Sequence, residues 1–463
     1  METAALKNDL TEGVIWKKLL RFFFPILLGT LFQQLYNTVD AIIVGKFVGT
    51  MALAAVGGSA ALILNLVVGF FIGLSSGATV IIAQYFGAHD EQRLSEAVHT
   101  AIAFCVAAGA ALTVLGIAIA PWALELVHNP ADIMDYSISY LRIYFAGTIP
   151  LMLFNIGSGI LRAVGDSKHP LYYLVVCCVI NIALDLLFVL VFDWGVVGVG
   201  WATVIALSVS ALLILINLCR ATEAYRLRLR DVRIHLPALR CILYIGIPAG
   251  VQSAMYSLSN LIIQTAVNNL GSTVVAAWTA TGKLDGVFWS VSNSFGAAIL
   301  AFTGQCFGAG KYDRMKRSVR TCMAMALGTA FFISALLLLF GKYCFHIFVD
   351  DPAVIRYAVE MLSYWAPYYF IWTFIEILSN TLRGAGDTVR PMVLTMVGVC
   401  GLRALWALVV VPLWPTVKGV CMCYPVTWGA TALAFVVYYY RSHWLDRCIS
   451  TAGLPPREAE RRA

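Results

Sequence analysis

A repeated phrase decides the fold: it reads LRAVGDSKHP at residues 161–170 and LRGAGDTVRP at residues 382–391. The two copies lie 221 residues apart and share Leu, Arg, Gly, Asp and Pro at matching positions. The same shift aligns Gln84 with Gln305. Self-similarity at a fixed distance indicates a chain assembled from copies of one structural unit. The sequence therefore predicts two lobes of related structure.

Composition places both copies in a membrane. Hydrophobic residues make up 60% of the 463 positions and charged residues 12%, with a mean hydropathy of +0.82, whereas a soluble chain carries about 25% charged residues. Most of the twelve apolar segments that we place exceed the length a spanning helix needs. They run over 16–44, 51–80, 95–120, 134–160, 170–192, 196–218, 237–268, 274–304, 318–341, 354–381, 391–413 and 418–441.

The period of the apolar segments excludes a β-barrel, because no strand-like alternation occurs. The predicted fold class is an all-α polytopic membrane protein with 12 transmembrane helices. Six helices per copy is an even number, so the two six-helix lobes are parallel and related by a pseudo-twofold axis along the membrane normal. A cleft between the lobes is then the expected substrate path.

Four regions follow from these segments: an N-terminal lobe at 1–219, an interlobe linker at 220–240, a C-terminal lobe at 241–445 and a tail at 446–463. The linker alternates basic and apolar residues, so it either lies on the inner membrane surface or is simply a soluble connection. The tail ends in prolines and charges, and we expect it to be disordered and cytoplasmic.

Loop charges orient the chain. Of its 32 Lys and Arg residues, 25 lie in the terminal segments and the even-numbered connections, and three lie in the odd-numbered connections. The positive-inside rule then places both termini in the cytoplasm. The first apolar run is too long for a cleavable signal peptide, so it stays in the protein. The basic residues flank helices without interleaved aromatic residues, which favours lipid headgroups over nucleic acid as partners.

Polar side chains inside the apolar segments point to a cation site. Asn181 and Asp185 are four residues apart, so a helix stacks them on one face, and Asp40 lies in another apolar run. An Asp at the centre of a membrane helix costs roughly 2.5–3.5 kcal/mol and usually faces a protein interior or a water-filled cavity. The alternative is a structural role through interhelical hydrogen bonds. The 221-residue shift puts Leu402 and Trp406 at the matching positions, so we expect the cation site in the N-terminal lobe alone.

The second lobe has charges of both signs inside its segments: Lys283, Asp285, Glu376 and Arg403. Because an unpaired charge there is costly, we expect pairing among them. For Glu376, a place in the substrate cleft and a structural ion pair are both open.

The sequence lacks a common metalloenzyme motif and the usual nucleotide-binding loop. It contains no His-Glu-x-x-His and no Gly-x-x-x-x-Gly-Lys-Ser/Thr phosphate loop. The 12 cysteines lie mostly in apolar segments and lack zinc-site spacing. We therefore expect neither an enzyme nor a cofactor, and an ion gradient as the energy source for transport.

Together these motifs make the chain resemble the multidrug and toxic compound extrusion (MATE) family, in its bacterial DinF-type branch. The resemblance rests on Asp40, the Gln-x-x-Gly-Ala turns at Gln84 and Gln305, the Leu-Arg-x-x-Gly-Asp turns, and Asn181-x-x-x-Asp185, and it covers nearly the whole chain. It implies a multi-pass protein of the bacterial cytoplasmic (inner) membrane that exports cationic or aromatic organic compounds in exchange for H⁺ or Na⁺. We expect a monomer whose partners are lipids and small-molecule substrates.

The resemblance also implies residue roles. It suggests a coupling site formed by Asp40, Asn155, Asn181, Asp185 and Thr203. Pro25 would provide a hinge in the first helix, because proline removes a helical hydrogen bond. Candidate cleft residues are Gln33, Gln34, Tyr36, Met152, Gln252, Tyr256 and Glu376.

Two rival transporter types remain open from sequence. A lipid-precursor or polyisoprenoid-linked flippase of the same superfamily would favour a strongly basic cleft, for which only Lys283 and Arg403 are candidates. A major-facilitator carrier also has two six-helix halves. However, residues 84–93 do not match the charged loop that usually follows the second helix of such a carrier. The choice between H⁺ and Na⁺ is open as well, since paired carboxylates suit a proton and extra neutral oxygens suit a hard cation.

Overall fold

The computed structural model describes residues 9–346, 349 and 351–453, and this part of the chain is predominantly α-helical. The helices of its first half are α1 (Ile15–Ile43), α2 (Thr50–Gly57), α3 (Ser59–Gly87), α4 (Glu91–Leu126), α5 (Met134–Ala146), α6 (Thr148–Ala163), α7 (Lys168–Leu186), α8 (Gly195–Arg220) and α9 (Leu236–Asn268). Those of its second half are α10 (Ser272–Gly308), α11 (Tyr312–Phe345), α12 (Pro352–Trp365), α13 (Tyr369–Gly384), α14 (Val389–Thr395), α15 (Leu402–Leu405), α16 (Val411–Leu413), α17 (Val417–Cys421), α18 (Cys423–Arg441) and α19 (Trp444–Ala452). Short π-helical stretches occupy Val44–Val48, Leu187–Val191, Met396–Gly401 and Trp406–Val410.

Membrane-spanning helices dominate the described residues. Nine helical stretches are long and apolar enough to cross a bilayer, and ten are if α5 and α6 form one broken span. Helix α1 and the α12–α13 pair supply the remaining two of the twelve predicted segments. Large apolar side chains such as Leu408 and Leu413 are 74% and 82% exposed, as expected for surfaces that face lipid. The all-α polytopic fold class is confirmed.

One predicted segment, 134–160, is broken rather than continuous. Helices α5 and α6 meet at Gly147 with a bend of 49°. Pro150 has no N–H to donate to the carbonyl of Ala146, so the helical hydrogen-bond ladder is interrupted at this point.

The chain packs as two compact units. Unit 1 contains Phe24–Gly250, and unit 2 contains Leu10–Phe23 together with the chain from Val251 onward. The divisions fall inside α1, beside Pro25, and inside α9, rather than in the 220–240 region where the sequence places the linker.

Close backbone contacts explain why the first half of α9 belongs to unit 1. A Cβ atom at Gly73 of α3 would lie 2.5 Å from the carbonyl oxygen of Ala249, and one at Gly246 would lie 2.6 Å from the carbonyl oxygen of Leu74. Only glycine allows two helices to approach this closely, as small-residue faces do in membrane helices.

Polar and aromatic contacts explain why the start of α1 belongs to unit 2. The backbone N–H of Leu10 donates to Oε1 of Gln305 at 2.9 Å, and Arg314 donates to the carbonyls of Leu10 and Gly13. The ring of Phe23 stacks on Phe295 with centroids 4.1 Å apart.

The repeated phrase forms the same turn in both copies. Gly165 and Gly386 end their helices with φ of +86° and +96°, a left-handed conformation that favours glycine. The N–H of Asp166 then donates to the carbonyl five residues earlier at 2.8 Å, and that of Asp387 does so at 2.9 Å. The duplication read from the sequence is therefore also a duplication of local structure.

The 220–240 region is attached to the N-terminal end of α4. The backbone N–H of Arg228 donates to Nε2 of His99 at 3.0 Å, and that of His235 donates to Oγ1 of Thr100 at 3.1 Å. Helix α9 already begins at Leu236, inside the predicted linker. The connection is thus fixed to unit 1 by backbone hydrogen bonds.

The predicted disordered tail needs a correction, because α19 covers its first residues. Leu445 and Ile449 are buried on one face of α19, and Trp444 donates to the carbonyl of Tyr439 at 3.0 Å. Apolar burial therefore orders residues 446–452. The rest of the predicted tail, from 454 on, lies outside the described residues.

Candidate functional site

Four of the five predicted coupling residues gather in unit 1. Asp40 lies on α1, Asn181 and Asp185 on α7, and Thr203 on α8. Asn181 is 1% and Asp185 0% exposed. Their four-residue spacing stacks the two side chains on one face of α7, as the sequence predicts.

The carboxyl groups of Asp40 and Asp185 lie within hydrogen-bonding reach of one another. As ionised groups, neither can donate to the other. Oδ1 of Asp40 and both carboxyl oxygens of Asp185 are buried and have no hydrogen-bond donor among the described residues. Burying ionised oxygens without a partner is costly, so this arrangement is suited to a proton or a small cation.

Asn181 adds a fourth oxygen without a donor. Its Nδ2 donates to Oγ1 of Thr203 at 3.4 Å, and Thr203 donates to the carbonyl of Val199 at 3.1 Å. These two hydrogen bonds hold the Asn181 amide so that its nitrogen faces Thr203. The buried Oδ1 of Asn181 has no donor in the described part of the protein. Thr203 thus orients Asn181.

Asn155, the fifth predicted coupling residue, is used differently in this structure. Its Nδ2 donates to the carbonyl of Leu151 on its own helix, α6, at 2.9 Å. No described hydrogen bond joins it to Asn181 or Asp185, so its place in a coupling site stays a prediction.

Sequence reasoning missed two tyrosines of α5. Tyr140 and Tyr144 lie close enough to Asp40 to interact with its charge, and Tyr140 also interacts with Asp185. The usable signal was their four-residue spacing in an apolar segment, which puts both rings on one helix face. Tyr36, a predicted cleft residue, also lies close enough to Asp40 to interact with its charge.

The predicted cleft residues fall in both units. Met152 of unit 1 is buried, whereas Gln33 and Gln34 on α1 are exposed. In unit 2 the ring of Tyr256 lies 5.8 Å from that of Trp372. Whether these side chains contact a substrate stays a prediction.

Gln252 and Glu376 are bonded inside unit 2. Gln252 donates to Oγ1 of Thr395 at 3.2 Å and accepts from Arg383 at 2.9 Å. Glu376 accepts from Nδ2 of Asn380 at 2.8 Å and lines a small cavity with apolar neighbours that include Phe288. Gln252 is therefore hydrogen-bonded on both sides within unit 2 and Glu376 borders a cavity, and the cleft role of both stays a prediction.

The prediction that the buried charges of unit 2 pair with one another is wrong for the described residues. No ion pair within 4.0 Å joins Lys283, Asp285, Glu376 and Arg403 there. Neutral partners take its place. Asp285 accepts from Nε1 of Trp289 and from the hydroxyl of Tyr369, and Arg403 donates to Oδ1 of Asn260 at 2.9 Å.

A family model provides the decisive comparison. The model described as MatE matches residues 25–187 and again residues 248–409, one block in each half of the chain. The chain belongs to the MatE family. The double match also agrees with the internal repeat and with the shared turns.

Curated relatives of this MatE chain extend over nearly its full length. It is 28% identical over 447 residues to a probable multidrug resistance protein, YoeA, of Bacillus subtilis, covering 94% of this chain and 96% of the relative. It is 27% identical over 394 residues to the probable multidrug resistance protein NorM of Idiomarina loihiensis, covering 82% and 83%.

Solved structures confirm the fold. An outward-facing multidrug resistance MATE transporter of the MOP superfamily superposes with a TM-score of 0.86 at 21% identity, covering 93% of this chain and 96% of the other. A MATE protein in a bent conformation superposes with a TM-score of 0.87 at 22% identity, covering 96% and 98%. The protein is therefore a multi-pass membrane transporter of the MatE family with the twelve-helix, two-lobe architecture.

Proposed function

We propose that this MatE protein is a secondary active multidrug efflux antiporter that exports cationic or aromatic organic compounds in exchange for H⁺ or Na⁺. The observation that carries the proposal is the group of buried oxygens of Asp40, Asp185 and Asn181 that lack donors among the described residues. Buried carboxylate and amide oxygens of this kind are suited to a proton or a hard cation. Relatives named as probable multidrug resistance proteins support a role in drug export.

Coupling follows from the charge of the Asp40–Asp185 pair. When the site is empty, the two carboxylates repel each other and favour hydration. When it holds H⁺ or Na⁺, that repulsion falls and unit 1 can close around the site. The two global states then differ in ion affinity, which is the requirement for an ion to bias a conformational equilibrium.

Exchange is a consequence of thermodynamic linkage. A substrate that prefers the state with the emptied site weakens ion binding, and the ion weakens substrate binding by the same factor. Asn181 would act as a neutral ligand, with Thr203 holding its amide, and Asn155 would join when its side chain turns from Leu151. No cofactor or enzymatic step is needed in this scheme.

Pro25 would supply the moving part of α1. It lies beside the position where α1 passes from one compact unit to the other, and its missing hydrogen bond lowers the cost of bending there. A solved relative is described in both a bent and a straight conformation, which supports a bend of this kind. Both termini would lie in the cytoplasm of a bacterial inner-membrane protein, by the charge asymmetry of the loops.

Reconstitution into proteoliposomes tests the proposal. We expect a cationic aromatic dye such as ethidium to move against its own gradient when a proton or a Na⁺ gradient of opposite direction is imposed. Imposing each gradient alone identifies the ion. Dye movement that ignores both gradients would contradict antiport, whatever the substrate.

A further inference from the structure

Unit 2 contains a buried positive charge without a counter-ion. Arg403 on α15 is 3% exposed, and its Nε has no hydrogen-bond acceptor among the described residues. Its recorded partners are neutral: Asn260, the thiol of Cys423 and the ring of Tyr424, whose centroid lies 4.5 Å from Cζ. A buried cation normally has an anionic partner, and within the described chain no carboxylate lies within 4.0 Å of this one.

Tryptophan rings continue from Tyr424, and two of them have free donors. The ring of Tyr424 lies 5.5 Å from those of Trp365 and Trp428, and the ring of Trp428 lies 5.7 Å from that of Trp372. The indole N–H groups of Trp372 and Trp428 are buried and unpartnered in the described part of the protein, whereas Trp365 interacts with the hydroxyl of Tyr369. We call Arg403, Tyr424 and these three tryptophans the donor cluster.

The acid close to the donor cluster does not satisfy it. The charge of Asp285 acts on Tyr424, but its carboxylate already accepts from Trp289 at 2.5 Å and from the hydroxyl of Tyr369. The donor cluster therefore combines an arginine without a direct anionic partner, the free N–H groups of Trp372 and Trp428 and several aromatic faces, and what it lacks is an acceptor.

The backbone around Arg403 is irregular in a way that accompanies functional sites. π-Helical stretches at Met396–Gly401 and Trp406–Val410 bracket its single α-helical turn, and such stretches occur frequently at functional sites. In the first copy, the π-helical stretch Leu187–Val191 begins two residues after Asp185, where α7 ends. Equivalent segments of the repeat thus hold the unpaired acceptors of Asn181 and Asp185 in unit 1 and the unpaired donor of Arg403 in unit 2.

We propose that the donor cluster binds the carboxylate of an aromatic compound. The guanidinium of Arg403 and the indole N–H groups would donate to the carboxylate oxygens, while the rings of Tyr424 and Trp428 would contact the aromatic body. As a substrate site the donor cluster rests on the proposed efflux function, and it extends the substrate class from cationic to carboxylate-bearing aromatic compounds.

Equilibrium binding without any ion gradient tests this site separately from transport. Purified protein in detergent is titrated by calorimetry with 2-naphthoate and with 2-naphthylmethylammonium, which have the same ring system and opposite charges. We expect the naphthoate to bind at least tenfold more tightly. Equal affinities, or tighter binding of the ammonium, would overturn the proposal even if antiport is shown in vesicles.

Variants locate the binding. Arg403→Gln should weaken naphthoate binding at least tenfold, with Arg403→Lys intermediate because it keeps the charge and loses the planar fork. Trp428→Phe keeps an aromatic ring and removes one N–H, so it should weaken naphthoate binding severalfold. If Arg403→Gln fails to fold, this second variant tests the location of the binding site. Trp278→Phe is the control, because its partly exposed ring lies 5.3 Å from Trp365 and its N–H is not among the buried unpartnered donors. Unchanged naphthoate affinity in Arg403→Gln or Trp428→Phe would place the site elsewhere.

Discussion

The carboxyl groups of Asp40 and Asp185 face one another in unit 1, brought together from α1 and α7, with no described donor on three of their four oxygens. Two buried acids without a cationic partner are stable only when a proton or cation accompanies them. This relationship links the fold to energy coupling, and the predictions below test its parts.

Thr203 should matter through its hydroxyl. Thr203→Val removes the acceptor of the Asn181 amide, and a net hydrogen bond is worth about 0.5–1.5 kcal/mol. We expect the ion concentration for half-maximal export to rise roughly three- to tenfold. Thr203→Ser keeps the hydroxyl and should behave like the parent protein. If Thr203→Val matches Thr203→Ser in proteoliposome export, Thr203 does not orient Asn181.

Close packing of α3 on α9 should limit stability. Gly73→Ala places a Cβ 2.5 Å from the carbonyl oxygen of Ala249, and overpacking of this kind costs about 1–3 kcal/mol. We expect a clearly lower midpoint in thermal unfolding of the detergent-solubilised protein. Gly282→Ala on α10 is the control, since nothing lies within 4 Å of a Cβ there. An equal midpoint for both variants would contradict the close approach of the two helices.

Pro25 should control exchange rather than assembly. Pro25→Ala restores a hydrogen-bond donor in α1 and stiffens it, so gradient-driven export should slow several-fold at normal membrane abundance. Pro121→Ala supplies the matched change inside α4 and should leave the rate unchanged. Export at the parent rate in Pro25→Ala would remove the bend from the mechanism.

Loop charges predict the orientation of the chain. A thiol reagent confined to the outside of intact cells should label Asp132→Cys and not Arg226→Cys, both of which replace exposed side chains. Labelling of the parent protein, which has 12 cysteines, sets the background. The reverse labelling pattern would show that the termini lie outside.

Sequence alone predicted the features that depend on local pattern. Apolar length defined the spans, the Gly165 and Gly386 turns revealed the repeat, and the spacing of Asn181 and Asp185 placed both on one face of α7. These succeed because helix periodicity and membrane thickness leave few alternatives.

Features that depend on distant contacts were not predictable. The assignment of the start of α1 to unit 2 rests on Leu10 bonding with Gln305, 295 residues away. The charge of Asp285 is satisfied by Tyr369 and Trp289 rather than by Arg403, and only the packed structure shows which neutral donors a buried acid meets. Helix α19 likewise depends on the burial of Leu445 and Ile449, which its short sequence does not predict.

The most direct test of the account measures dye export by proteoliposomes that contain the double variant Asp40→Asn, Asp185→Asn. The amides keep the size of the side chains and remove both titrating charges, so the imposed H⁺ or Na⁺ gradient should no longer drive export. Dye affinity measured without a gradient should change by less than about threefold, a difference of under ~1 kcal/mol. Glu376→Gln, which removes a carboxylate from unit 2, should keep gradient-driven export. A double variant that inserts normally and still exports dye in response to an ion gradient would contradict the central claim, because the coupling site would then lie elsewhere.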